Sequence, residues 1–168
     1  MERTLKDGSV VNVRPIVATD KQALSTGLEH LSPETVRRRF LGPKRRFTTG
    51  ELRYLTEVDG HHHVALVAEP VDEPGSVVAV GRWVRLVDEP ETAEFAIVVG
   101  DHLQGKGLGG LLADELATTA KAEGITRFTA SAFADNVAIV RVMERLSDHL
   151  DRRHPGLGLA EVTFDLAA

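Results

Sequence analysis

The residues with the clearest chemical content are Gln104-Gly105-Lys106-Gly107-Leu108-Gly109-Gly110, set between a run with strand periodicity and a run with helical periodicity. Glycines let the backbone turn tightly and bring its N–H groups against a ligand with no Cβ in the way. A helix starting at Leu108 leaves its first N–H groups unpaired and carries partial positive charge there, so turn and helix start together suit a diphosphate. Three readings compete on these residues alone. A Walker A loop finds Gly100, Gly105 and Lys106 in place, but Gly107 occupies the position of the magnesium-binding hydroxyl. A dinucleotide fingerprint can be counted from Gly105, Gly107 and Gly110, but an acidic residue should follow about 20 positions on. Thr126-Arg127-Phe128-Thr129 stands there instead. A tight turn with no ligand is the third.

His61-His62-His63 raises a metal. Neighbouring residues on a strand point to opposite faces, so at best His61 and His63 converge, and no third ligand is well placed. A plain strand start is the default, with a substrate-side acid or base as the alternative. No metal is expected. The chain has no cysteine, which excludes disulfides, thiolate metal sites and a cysteine nucleophile.

The elements that must position these residues follow from periodicity. Val10 to Pro15 alternates as a strand; Asp20 is placed to cap a helix running to about Leu31. Ser32-Pro33-Glu34 starts a second helix, ending near Gly42-Pro43, and a short helical turn follows Thr49. His63 to Glu69, Val77 to Val87 and Glu94 to Val99 read as three consecutive strands. Leu108, Leu111, Leu112, Leu116 and Ala120 make one helical stripe ending at Gly124; Arg127 to Ala132 is the next strand. Asn136 to Leu146 is a helix with Ala138, Ile139, Val142, Met143 and Leu146 inward, and one or two strands close the chain, Val162, Phe164 and Leu166 alternating. Trp83, Phe95, Phe128 and Phe133 are assigned to core packing. The order predicts an α/β (α+β) fold in a single domain over 1–168, with a mixed, mostly antiparallel central sheet and helices on both sides.

Composition narrows the class of partner. At 168 residues with 42% hydrophobic and 27% charged content, the chain can bury a core of its own. Net charge is −5, and the basic excess of residues 1–60 comes largely from Arg37-Arg38-Arg39 and Lys44-Arg45-Arg46. That is too little basic field for nucleic acid. No stretch approaches the roughly 20 apolar residues that span a bilayer, so a soluble, cytoplasmic protein is expected, monomeric or homodimeric.

Ala93-Glu94-Phe95-Ala96-Ile97-Val98-Val99, the turn Gln104-x-x-Gly107-x-Gly109, the helix with Leu111 and Leu112, and Asn136 opening the last helix together resemble the GCN5-related N-acetyltransferase family. The strong part covers about 91–147, and the element order extends it from about residue 10 to the end. Residues 30–60 look like the acetyltransferase domain of bacterial protein lysine acetyltransferases.

The resemblance implies acetyl-CoA as co-substrate, lying in a splay between the fourth and fifth strands, and an amine acceptor. A protein lysine is one such acceptor; small amines, amino acids and aminoglycosides are the alternatives, and a non-catalytic acyl-CoA-binding module is the rival of a different class. Backbone groups of Ile97, Val98 and Val99 would pair with the pantetheine arm. Gln104 belongs to the motif, and N–H groups of Gly105, Lys106, Gly107, Leu108, Gly109 and Gly110 would surround the diphosphate. Lys106 would add charge, and Asn136 would reach the cofactor as well as cap its helix.

An ammonium with a reference pKa near 10.4 must lose a proton before it attacks, and a carboxylate that removes or relays this proton beside the thioester meets that need directly. Glu94 is the expected base, with Ala93 and Phe95 making its site partly apolar; Glu57 and Asp59 are the alternatives. The N–H of Val98 or Val99 would stabilise the oxyanion. Where many members carry a tyrosine seven residues after the asparagine, this chain has Met143, and its one tyrosine, Tyr54, reads as structural.

Overall fold

A computed structural model describes residues 1–167. Eight strands form one sheet in the order β1-β2-β3-β4-β5-β6-β8-β7. They are β1 (Glu2–Thr4), β2 (Val10–Pro15), β3 (His63–Pro70), β4 (Ala79–Arg85), β5 (Thr92–Val99), β6 (Arg127–Phe133), β7 (Asp151–Gly156) and β8 (Leu159–Asp165). Every pairing is antiparallel except β5 with β6. The mixed, mostly antiparallel sheet and the element order agree with the sequence. β1 is additional: three residues carry no alternation signal, and only the edge of β2 makes them a strand. The fourth and fifth strands of the sequence reading are therefore β5 and β6.

Five helices cover the two faces: α1 (Lys21–Glu29), α2 (Pro33–Phe40), α3 (Thr49–Thr56), α4 (Leu108–Ala122) and α5 (Val137–Leu146). On one face Leu108, Leu112, Leu116 and Ala120 of α4 are fully buried against Val11, Val13, Leu66, Trp83, Phe95 and Phe128. On the other, Leu24 packs with Ile16, Ala65, Val67, Val77 and Val80, and Phe47, Leu52 and Leu55 lie over them. Among the described residues no helix is long and apolar enough to cross a membrane.

Local signals set most boundaries. Ser32 Oγ accepts the Thr35 N–H at 3.2 Å, and Pro33 occupies the first turn of α2 as expected. Thr48 and Glu51 form a reciprocal cap on α3. Asp20 departs from its expected role. Its carboxylate turns away from α1 to take both Nη groups of Arg14, at 2.8 and 2.9 Å, and the Val17 N–H at 2.8 Å. A bidentate ion pair outweighs one neutral capping bond. Two of the residues expected to face inward also differ. Ala138 is exposed on α5 and lines the cleft described below, whereas Met143 and Leu146 are buried. Phe133 is only half-buried, with the Arg37 guanidinium 3.8 Å over its ring.

Candidate active site

β5 and β6 pair only over Thr92–Glu94 and Arg127–Thr129. Beyond that point β5 continues against β4 and β6 against β8, and the two strands part. A cleft of about 880 Å³ fills the opening. Glu94, Ile97, Val98, Val99, Gln104, Gly105, Lys106, Gly107, Gly109, Gly110 and Asn136 all line it, so residues from three separate segments of the sequence meet in one place. Leu108 differs: its side chain is fully buried beneath α4, and only its backbone is near the turn.

Hydrogen-bond alternation settles which groups of β5 face the opening. Leu86 N–H donates to Thr92 O at 2.9 Å and Gly100 N–H donates to Val78 O at 2.8 Å, bracketing an unbroken β4–β5 register. Alternate residues between these ends, Val98 included, therefore turn their N–H and C=O toward β4. Ile97 and Val99 turn theirs toward the cleft. Of these, Val99 O accepts from Gln104 Nε2 at 3.1 Å. The expected backbone role of Val98 is thus corrected to a side-chain contact, because its amide is committed to the ladder.

The glycine turn has the conformation its composition demands. Gly105 and Gly107 lie at φ +77° and +94°, where an L side chain is strained. Gly107 is the N-cap of α4, no side chain caps that end, and the first turn holds no acidic residue. The N–H groups there are open to an anion and favoured by the helix dipole. At Gly109 a Cβ would meet only Val142 and Val99, at 3.6 and 3.7 Å. The arrangement fits a diphosphate. Lys106 is not a free charge: its Nζ pairs with Asp7 at 2.7 Å, and that ammonium, with Ser9, holds the Asp7 carboxyl far below its usual range. Gln104 is also more than a lining group. It donates to Thr35 Oγ1 at 3.1 Å, and Asp101 accepts from Thr35 Oγ1 and from the Ser32 N–H and hydroxyl, tying the turn to the start of α2. Asn136 Oδ1 caps α5 through Ile139 N–H at 3.4 Å, which leaves its amide nitrogen to the cleft.

Glu94 stands at the last paired position of β5, where the splay opens. Its side chain is exposed, whereas Ala93 and Phe95 are buried on the opposite face. The apolar surround expected from these neighbours is therefore absent, since adjacent strand residues face opposite ways. The other candidates have structural employment. Asp59 accepts the N–H groups of His61, His62 and His63 at 2.8–2.9 Å, which drives its carboxyl well below the usual range. Glu57 is paired with Lys21 at 2.7 Å. His61 and His62 lie in the exposed loop before β3; His63 alone is buried, and burial beside Arg82 lowers its imidazole to about 4. Met143 belongs to the core and offers nothing to the cleft, and Tyr54 is 58% exposed, its ring 4.9 Å from His63.

Sequence reasoning missed several lining groups: Lys6 from the β1–β2 turn, Thr35 and Arg39 from α2, Ser131 from β6 and Arg141 from α5. The Lys6 N–H donates to Lys106 O at 3.1 Å, a contact across the whole N-terminal half that no local pattern announces.

Residues 29–147 match the model of the acetyltransferase (GNAT) family. The chain is 35% identical over 159 residues to the acetyltransferase Pat of Mycolicibacterium smegmatis, covering 94% of this chain and 47% of that protein. It thus spans about half the length of that relative. It is 30% identical over 138 residues to an acetyltransferase of Pseudomonas aeruginosa, covering 81% of this chain and 73% of the other. The solved GNAT domain of S. lividans Pat superposes with a TM-score of 0.87 at 27% identity, over 99% of this chain and 96% of that one.

Proposed function

The chain belongs to the acetyltransferase (GNAT) family, and on that premise we propose that it moves an acetyl group from acetyl-CoA to a primary amine by direct attack within a ternary complex. The observation that carries the reading is the splay itself, with the backbone of Ile97 and the Val99 N–H turned away from the β4 ladder on one side, the open start of α4 at its end, and Glu94 at its apex. The pantetheine arm pairs with that strand edge, and the diphosphate takes the N–H groups from Gly105 to Gly110. The amine nitrogen gives its lone pair to the thioester carbon, and the Ile97 and Val99 N–H groups are the donors facing the oxygen that becomes negative. Glu94 accepts the amine proton, directly or through a water. The C–S bond then breaks, and coenzyme A leaves as a thiolate whose reference pKa near 8.5 makes it a tolerable leaving group without a tyrosine. With no cysteine in the chain, no acetyl-cysteine intermediate can form.

Two acceptor classes have support. The likeness of residues 30–60 to bacterial protein lysine acetyltransferases favours a protein lysine. A small, mainly apolar pocket beside the site favours a small amine. The test is coenzyme A release from acetyl-CoA across a panel of peptides and small amines. Saturable, amine-dependent release supports the reading; tight acetyl-CoA binding with no release for any amine replaces it with a binding module, and magnesium-dependent ATP binding replaces it with a nucleotide site.

A further inference from the structure

Arg82 lies on β4 facing α1 and α3, and is 6% exposed. Its Nη1 donates to Leu55 O at 3.3 Å and meets His63 Nε2 at 2.9 Å, while its buried Nε has no partner. Both partners are neutral, since the low pKa of His63 leaves that ring uncharged at pH 7. Arg39 reaches the same place from α2 and is partly buried. Burial lowers the pKa of each guanidinium. Arg39 pushes Arg82 further down, to about 10, and the Glu94 carboxylate partly offsets the effect of burial on Arg39. Among the described residues neither makes an ion pair, although Arg14, Arg127 and Arg145 each hold a carboxylate.

The two arginines line a cavity of about 240 Å³, otherwise walled by apolar side chains such as Leu24, Leu28, Phe47 and Leu55. Its remaining titratable lining groups, His30, Glu73 and His102, are exposed and mark the rim. Burying a guanidinium without a counter-charge is costly, and its planar fork matches a carboxylate. Placement relates this cavity to the chemistry. Arg82 pairs with Ala96, so Glu94 is its diagonal neighbour on the same face of the sheet, at a Cβ separation of roughly 7–8 Å. Arg39, Phe40 and Val98 line both this cavity and the cofactor cleft.

We propose that Arg39 and Arg82 form a subsite for a carboxylate on the acceptor, which makes the substrate a small amine that also carries a carboxylate, of amino-acid size. The proposal rests on the acetyltransferase reading and names its substrate class. A carboxylate held at Arg82 leaves its own amine directed toward Glu94 and the thioester. The same positive field disfavours an ammonium, so the group that anchors the acceptor also helps present the amine neutral. A protein lysine, with no carboxylate fixed near its amine, gains nothing from this pair.

The test is acetyl transfer to matched acceptors, leucine against isoamylamine and phenylalanine against phenethylamine, with a lysine peptide alongside. kcat/KM should be about tenfold or more higher for each carboxylate-bearing partner, the scale of a charge-assisted pair. Arg39→Met and Arg82→Met should each bring that ratio close to one. Arg53→Met, which removes an equal charge from the exposed side of α3, should leave it standing. Arg39 is only partly buried, so its variant decides the matter where Arg82→Met does not fold. A ratio near one in the unaltered protein, or a ratio that Arg39→Met does not change, overturns the subsite. Transfer confined to the lysine peptide also overturns it while acetyl transfer stands. If no amine releases coenzyme A, the acetyltransferase reading fails separately. Calorimetric titration of leucine and isoamylamine into the acetyl-CoA complex then decides the subsite: tighter leucine supports it, and equal binding overturns it.

Discussion

Adding a single methyl group at successive glycines of the cofactor turn separates what the backbone needs from what the ligand needs. Gly107 lies at φ +94°, and a Cβ there would stand 3.4 Å from Lys6 Cε, the movable end of a flexible side chain. Steric contact is thus minor, and the cost of Gly107→Ala is the left-handed conformation, about 1–2 kcal/mol. Gly105, at φ +77° with nothing within 4 Å of a Cβ, should lose a similar amount. Gly109 is helical, and its Cβ would meet Val142 and Val99 at ordinary contact distance. Alanine there should leave stability unchanged or raise it by up to about 1 kcal/mol through helix propensity. For a chain of this size each kcal/mol moves Tm by roughly 2–4 °C, so the first two variants should melt lower and the third should not. Acetyl-CoA affinity should fall in Gly107→Ala, because relaxing the strained φ re-aims the N–H groups at the start of α4, and more steeply in Gly107→Val. Thermal melts and calorimetric titration of the same preparations give both numbers. Unchanged melting of Gly105→Ala and Gly107→Ala would refute the backbone argument. Equal affinity losses at all three positions would refute the link between turn geometry and ligand.

Glu94→Gln should retain fold and acetyl-CoA affinity while turnover at pH 7 drops roughly 10²-fold, partly recovering at higher pH as more amine arrives neutral. A kcat/KM series against pH for both proteins checks this; near-normal turnover at pH 7 would remove Glu94 as the base. His63 is held neutral with its pKa depressed to about 4, so its contribution to stability is full above about 6.5 and is lost as pH falls toward 4. That window corresponds to about 3 kcal/mol, and denaturant melts of His63→Gln should show a flatter stability profile between those pH values. Asp20 and Glu69 are both held below their usual carboxylate range by Arg14, so their stabilisation is fully present above about pH 4.5 and lost on further acidification. Asp20→Asn should cost about 2 kcal/mol at pH 7, with the difference narrowing at acid pH in the same melts.

The glycine turn, the Ser32 cap with Pro33 just inside its helix and the stripe of α4 were legible because each is a local constraint. A positive φ, an N-cap and a helical period are all decided within a few residues of one another. Glu94 and Asn136 were legible as positions in a pattern, and the element order was enough to predict the sheet. The rest depended on partners far along the chain. Period-two alternation sends Glu94 to one face and Ala93 and Phe95 to the other, but only the place where β6 leaves β5 turns that face into an opening. Whether the amide of Val98 or of Val99 meets the cleft depends on the register with β4, which no run of β5 residues reveals. Asp20 had the right type and place for a cap and lost that role to Arg14, because an ion pair outweighs a single neutral hydrogen bond. Arg39, His63 and Arg82 carry no shared motif; packing α3 over β3 and β4 and α2 over β5 and β6 brings two positive charges together and shields them from water. Local sequence determined which backbone shapes and charges this protein possesses. Tertiary structure alone decided which of them are left unpaired, since pairing is a property of neighbours in space.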